Sequence, residues 1–243
     1  MNKKRKRGNT LGSRIVFLTI FGIAMGFLEA AVVVYLRELY YPEGFTFPLT
    51  LMTIETLSIE YLREIATMVM LFSIGIIAGR NFPERLSYFL FSFGIWDIFY
   101  YVWLKVLLNW PPSLFTWDIL FLIPVAWVGP VLAPIVCSVT MILISGCVLH
   151  FQTKGYLVRI NLHECILLIM GALIIFSTFV WDYSRIIIQH GFIARFWTLR
   201  ADPDFQEIVS HYIPISYNWH LFALGEVLIL LSLVLFCRRM KTH

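Results

Sequence analysis

Apolar residues along this chain gather into six long blocks: Ile15–Leu36, Leu62–Gly79, Leu86–Leu108, Val131–Leu149, Ile166–Ile188 and Trp219–Phe236. Each approaches the roughly 20 residues that a helix needs to cross a hydrocarbon core about 30 Å thick. The pattern predicts an all-α polytopic membrane protein with six transmembrane helices. One region does not fit a simple crossing. Asp118 to His150 covers thirty-three residues, interrupted by Pro124, Gly129, Pro130 and Pro134. As one helix it would span about 50 Å. Proline removes a backbone donor and clashes with the preceding turn. In lipid, freed backbone groups must be satisfied by protein or by a water-lined cavity. The expectation is a broken fourth segment: a short outer half-helix near Asp118–Ile123, a break through Pro130, then the fourth crossing. One long tilted helix with a kink fits the same residues.

The stretches between blocks carry their own signals. Leu39–Ile59 is rich in aromatic residues and proline, and from Thr53 onward it reads as the start of a helix leading into the second crossing. In Gly191–Asn218, Asp202 is a candidate N-cap and Pro203 a candidate first helical residue. Phe205, Ile208, Val209 and Tyr212 then share a helical face. A short amphipathic outer helix before the sixth crossing is expected there.

Charge adds an orientation. Lys3, Lys4, Arg5, Lys6, Arg7, Arg14, Arg80, Arg85, Lys154, Arg159, Arg238, Arg239 and Lys241 would lie on one side of a six-span chain, thirteen of its 19 basic residues. Basic residues mark the cytoplasmic side, so both termini are expected in the cytoplasm, in the cell membrane. The chain divides into a basic cytoplasmic tail over 1–14, a single six-helix membrane domain over 15–236 and a second basic tail over 237–243. The basic N-terminal run needs only this topological role, and nucleic acid is not an expected partner. Composition agrees: 59% of residues are apolar and 14% charged, against about 45–50% and about 25% in soluble domains. The apolar run continues past Glu29 with no small-residue cleavage site, so the first helix is expected to be retained. Cys137, Cys147, Cys165 and Cys237 form no C-x-x-C pair and read as free thiols.

The ionisable residues within these blocks are the chemical signal. Such a side chain costs at least about 2.5–3.5 kcal/mol at the membrane centre, so it faces a partner or a wet cavity. Helical spacing aligns Glu60, Arg63, Glu64 and Thr67 in the second crossing, Asp97, Tyr101 and Lys105 in the third, and Thr178, Asp182, Arg185 and Gln189 in the fifth. Glu29 borders a Gly22/Gly26/Ala30 seam that admits another helix closely. His220 and Glu226 belong to the sixth, and Asp118 to the broken segment. By depth, most fall in the outer half. Seven acids (Glu29, Glu60, Glu64, Asp97, Asp118, Asp182, Glu226) face Arg63, Lys105 and Arg185, with Arg37 a fourth base if it reaches in. Surplus buried carboxylates take up protons or bind a cation.

The expected site is therefore outward-facing and acid-rich. Its candidate ligand-binding residues are Glu29, Glu60, Arg63, Glu64, Asp97, Tyr101, Lys105, Asp118, Asp182, Arg185 and His220. The leading function is binding or transport of a small polar or cationic solute or ion. Two alternatives stay open. One is a membrane-embedded enzyme acting on a lipid or lipid-linked substrate, with Asp97 and Asp182 as catalytic carboxylates. The other is a structural or assembly subunit that meets a partner helix through Gly22, Gly26 and Ala30. By ligand type, Glu60, Glu64, Asp97, Asp182 and His220 suit a divalent metal ion. The sequence carries no haem or nucleotide signature, no H-E-x-x-H and no G-x-S-x-G. Phe91–Asp97 and Phe176–Asp182 match as F-S-x-x-[IV]-W-D, a weak internal repeat. In size, helix number and termini the chain resembles the membrane substrate-binding components of energy-coupling-factor vitamin importers. That resemblance lies in architecture, rests on no motif, and implies solute capture.

Overall fold

In the computed structural model the described residues are 2–159 and 161–242, with side chains described from Leu11 onward except at Trp197, Arg200 and Ala201. The side chains of the basic run Lys3–Arg7 lie outside that set. The order is α1 (Asn2–Tyr40), α2 (Ile54–Ala78), α3 (Phe82–Leu108), β1 (Trp117–Phe121), β2 (Trp127–Pro130), α4 (Leu132–Thr153), α5 (Leu162–Gln189), a 3-10 segment (Phe192–Ala201), α6 (Pro203–Ser210) and α7 (Trp219–Thr242). Six of these helices are long and apolar enough to cross a membrane: α1 from Leu11, α2, α3, α4, α5 and α7. The protein is thus a multi-pass helical membrane protein. Their faces carry many exposed large apolar side chains, such as Phe17, Leu62, Ile77 and Leu173, as expected where the surrounding solvent is hydrocarbon.

Helix ends follow local chemistry. Thr53 caps α2 by accepting the Thr56 amide, and Asn81 caps α3 by accepting the Glu84 amide. At α5, Glu164 accepts the Asn161 backbone amide and pairs with Arg239 Nε of α7 at 2.7 Å. That ties the last helix to the fifth. Asp202 caps α6, accepting the Asp204 and Phe205 amides, with Pro203 first in the helix. Val209 on its apolar face is buried with Ala126, Val128 and Tyr183, and Phe205 and Tyr212 pack against this cluster.

Close helix pairs are set by glycine. A Cβ at Gly26 would lie 3.0 Å from the Trp96 carbonyl and the Tyr100 amide of α3. The small-residue seam of α1 therefore takes α3 of the same chain. Gly171 and Gly225 do the same for α5 and α7: a Cβ at Gly171 would lie 2.6 Å from the Gly225 carbonyl oxygen.

The expected half-helix at Asp118–Ile123 is corrected by the structure. Residues 117–130 form an antiparallel hairpin, with Trp117 opposite Pro130, Asp118 opposite Gly129 and Ile119 opposite Val128, and an irregularity before Phe121. Its turn contains Pro124. A short apolar run bounded by proline and glycine reads equally as strand or helix by periodicity, and the aromatic and β-branched residues here favour strand. The break before the fourth crossing is real: α4 begins at Leu132, directly after β2.

A Gly26→Val substitution is expected to force α1 off α3 and cost about 1–3 kcal/mol. Gly146→Val, where the added Cβ would meet nothing within 4 Å, serves as the control. Thermal unfolding of both variants in one detergent checks this, with a clearly lowered midpoint expected only for the first.

Candidate functional site

A cavity of about 500 Å³ opens between α1, α2, α3 and the hairpin, toward the end of the bundle opposite the chain termini. Chain segments around Tyr41–Met52 and α6 close over it. Each wall contributes charge by its own periodicity. Helix α1 presents Glu29, Val33 and Arg37, four residues apart. Helix α2 presents Glu60, Arg63, Glu64 and Thr67, α3 presents Asp97 and Tyr101, and the hairpin presents Asp118.

The charges interlock. Arg63 Nε and Nη2 donate to Glu60 Oε2 at 3.0 and 2.8 Å. The same guanidinium pairs with Glu29 through Nη1, and Glu29 also accepts the Thr67 hydroxyl. One guanidinium thus serves two carboxylates. Arg37 Nη2 donates to Asp118 Oδ1 at 3.3 Å, and the Tyr101 hydroxyl donates to Asp118 Oδ2 at 3.2 Å. The Arg37 guanidinium carbon lies 3.7 Å from the Trp110 ring centre and 4.5 Å from that of Phe45. Those cation–π contacts hold it at the cavity rim. Glu64 accepts the Leu122 backbone amide with both oxygens, at 3.0 and 2.9 Å. Asp97 accepts the Ser138 hydroxyl of α4 at 2.7 Å.

Around this cavity five carboxylates (Glu29, Glu60, Glu64, Asp97, Asp118) stand against two guanidiniums (Arg37, Arg63). Asp118 is on the hairpin, outside the six spans. Burial pushes its carboxyl up to about 6, while Arg37 and the Tyr101 hydroxyl pull it down. Burial also raises the Tyr41 hydroxyl, against the opposing effects of Thr50 and Arg37. Aromatic rings supply much of the remaining wall, among them Tyr61, Trp96 and Tyr100.

Of the residues expected at the site, Glu29, Glu60, Arg63, Glu64, Asp97, Tyr101 and Asp118 line this cavity. Lys105, Asp182, Arg185 and His220 do not. Lys105 Nζ turns to the carbonyls of Asn109 and Pro111, at 3.2 and 3.1 Å, closing the chain beyond α3. Asp182 accepts the Tyr212 hydroxyl beside α6. Arg185 and His220 are exposed. Glu226 sits apart, buried between α7 and α4, accepting the Thr140 hydroxyl at 2.8 Å. The five metal candidates are therefore divided: Glu60, Glu64 and Asp97 line the cavity, while Asp182 and His220 lie elsewhere. Among the described residues, no three His, Cys, Asp or Glu side chains gather as a metal site. The paired Trp-Asp motifs also part: Trp96 is 8% exposed and Trp181 48%, so the first is core and the second faces outward.

Arg37 joins the site as the conditional fourth base. Its signal was its place eight residues after Glu29, on the same helical face. The Leu122 amide left no sequence signal, because it is a backbone group placed by the hairpin.

Glu64→Leu is expected to leave the Leu122 amide without its acceptor and to cost roughly 1–3 kcal/mol. Glu64→Gln retains one acceptor oxygen and is expected to lose less. Thermal unfolding ranks the two, and equal losses would mean that this bond does not anchor the hairpin.

No family model, curated protein or solved structure matches the chain.

Proposed function

We propose that the protein binds a small organic cation in this cavity, as the capture step of a solute-binding or transport cycle. The observation that carries the reading is the excess of five carboxylates over two guanidiniums around one aromatic-walled cavity. In a low-dielectric setting that imbalance favours a positive occupant. The carboxylates are spread around the walls, which suits an ammonium group on an apolar body. Its charge meets Asp97, Glu60 and Glu29 from different sides, and its body meets rings such as Tyr61 and Tyr100. Tyrosine faces attract ammonium groups through their quadrupoles.

On this reading both termini are cytoplasmic and the cavity opens to the opposite side. A cysteine replacing Tyr41 is expected to react with a membrane-impermeant thiol reagent in intact cells. A cysteine replacing Glu84 is expected to react only after permeabilisation. The reverse pattern would invert the topology.

Two probes with one ring system and opposite charge test the ligand class: tryptamine and indole-3-acetate. Tryptamine at a hundredfold excess over its Kd stabilises by about 2.7 kcal/mol, read as a raised unfolding midpoint. Asp97→Asn and Glu60→Gln are expected to abolish that shift. Asp182→Asn, outside the cavity, is expected to keep it. Affinity is expected to fall as pH drops through about 6, because protonating Asp118 leaves Arg37 uncompensated at the site. A shift with indole-3-acetate alone, or equal loss in Asp182→Asn, would overturn the reading.

A further inference from the structure

A second cavity of about 500 Å³ lies at the opposite end of the bundle, where α1, the α2–α3 junction and the α4–α5 connection meet. Its lining charges have the opposite sign. Arg14, Arg80 and Arg159 converge on it, against one carboxylate, Glu84. Glu84 is already engaged, accepting the Arg80 backbone amide at 2.8 Å. Among the described residues no carboxylate lies within ion-pair distance of any of these three arginines. Arg14 lies near the Tyr88 ring, 6.0 Å from its centre. Gln152, also on the wall, donates to Asn81 through Nε2, and its buried Oε1 has no partner.

We propose that this cavity binds the phosphate group of an anionic phospholipid. The guanidinium fork suits phosphate oxygens, and three such groups from three separate parts of the chain make a cradle. Basic pockets between membrane helices on the cytoplasmic side take such headgroups. The surroundings favour a lipid as the source of the phosphate. Phe82 and Leu157 flank the cavity at 69% and 74% exposure, where acyl chains would lie. Gln152 Oε1 is placed as an acceptor for a headgroup hydroxyl. The inference is independent of the acid-rich cavity and of what that cavity binds.

The full chain, purified in detergent and offered equimolar phosphatidylglycerol and phosphatidylcholine, is examined by native mass spectrometry for retained lipid. Wild type is expected to retain one phosphatidylglycerol with at least tenfold preference. R14Q/R80Q/R159Q is expected to lose that preference, and R80Q alone to weaken it several-fold. R238Q/K241Q, which removes basic charge from the C-terminal tail outside the cavity, is expected to keep it. The single R80Q variant changes one exposed side chain and decides the matter if the triple variant does not fold. Equal retention of the two lipids would overturn the proposal. So would equal loss in R238Q/K241Q, which would reveal only a general attraction to anionic surfaces. Stabilisation by millimolar inorganic phosphate that matches phosphatidylglycerol would overturn the lipid as its source.

Discussion

A backbone amide shielded from water must find an acceptor, and here the Leu122 amide of the hairpin finds the Glu64 carboxylate. Much of the site depends on this bond. A two-stranded hairpin has two open edges, and lipid offers such edges nothing. The sequence can carry one among its helices only by surrounding it with protein. Residues Val128 and Ala126 pack under α6, and Gly129 lets the strand approach Phe179 of α5. Glu64 closes the turn from α2. Once seated, the hairpin brings Asp118 to Arg37 and Tyr101 and completes the cavity wall.

The ion pairs around the cavity position more than they stabilise. Withdrawing two charges from water costs several kcal/mol per ion, and their attraction returns that cost only with good geometry and further hydrogen bonds. The structure supplies those bonds. Arg63 reaches two carboxylates, Thr67 serves Glu29, and Ser138 serves Asp97. Breaking one partner out of such a set is costly, because a buried charge is left behind. The network therefore fixes the relative placement of α1, α2, α3 and the hairpin, while glycine contacts fix the spacing of α1 and α3.

Where the sequence was legible, one strong physical rule acted alone. Hydrophobic length located all six long apolar helices, though α2 starts eight residues before its apolar block and α7 runs six residues past its own. Capping chemistry located α6, since Asp202 followed by Pro203 leaves little else for the chain to do. Helical periodicity grouped Glu60, Arg63 and Glu64 correctly and aimed Glu29 inward. Legibility failed where two rules competed or where neighbours decided. Apolar residues between prolines fitted a half-helix or a strand, and the choice fell to tertiary packing. Depth placed Asp182, Arg185 and His220 level with the site, but depth says nothing of azimuth. The chain has enough helices at that level for residues on α5 and α7 to face elsewhere. Lys105 was grouped by its four-residue spacing from Tyr101, yet it lies in the last turn of α3, where its amine serves the carbonyls beyond the helix.

The two ends of the bundle differ in how their charge is handled, and that difference supports reading the acid-rich end as a site. At the terminus-bearing end, Arg80 and Arg159 are exposed, so water reaches them beside any anion held between them. At the other end, Glu29, Glu60, Glu64 and Asp118 are each less than a tenth exposed. Water does little for them, and the protein must do the rest. The donors it provides from Leu122, Ser138, Thr67 and Tyr101 are neutral, and they spread negative charge without cancelling it. Two guanidiniums cannot neutralise five carboxylates. Further arginines on the walls would have balanced the set, and Lys105 stands on the adjacent helix with its amine turned away. On the proposed reading, that excess of carboxylates in a cavity of about 500 Å³ is what a positively charged occupant would meet.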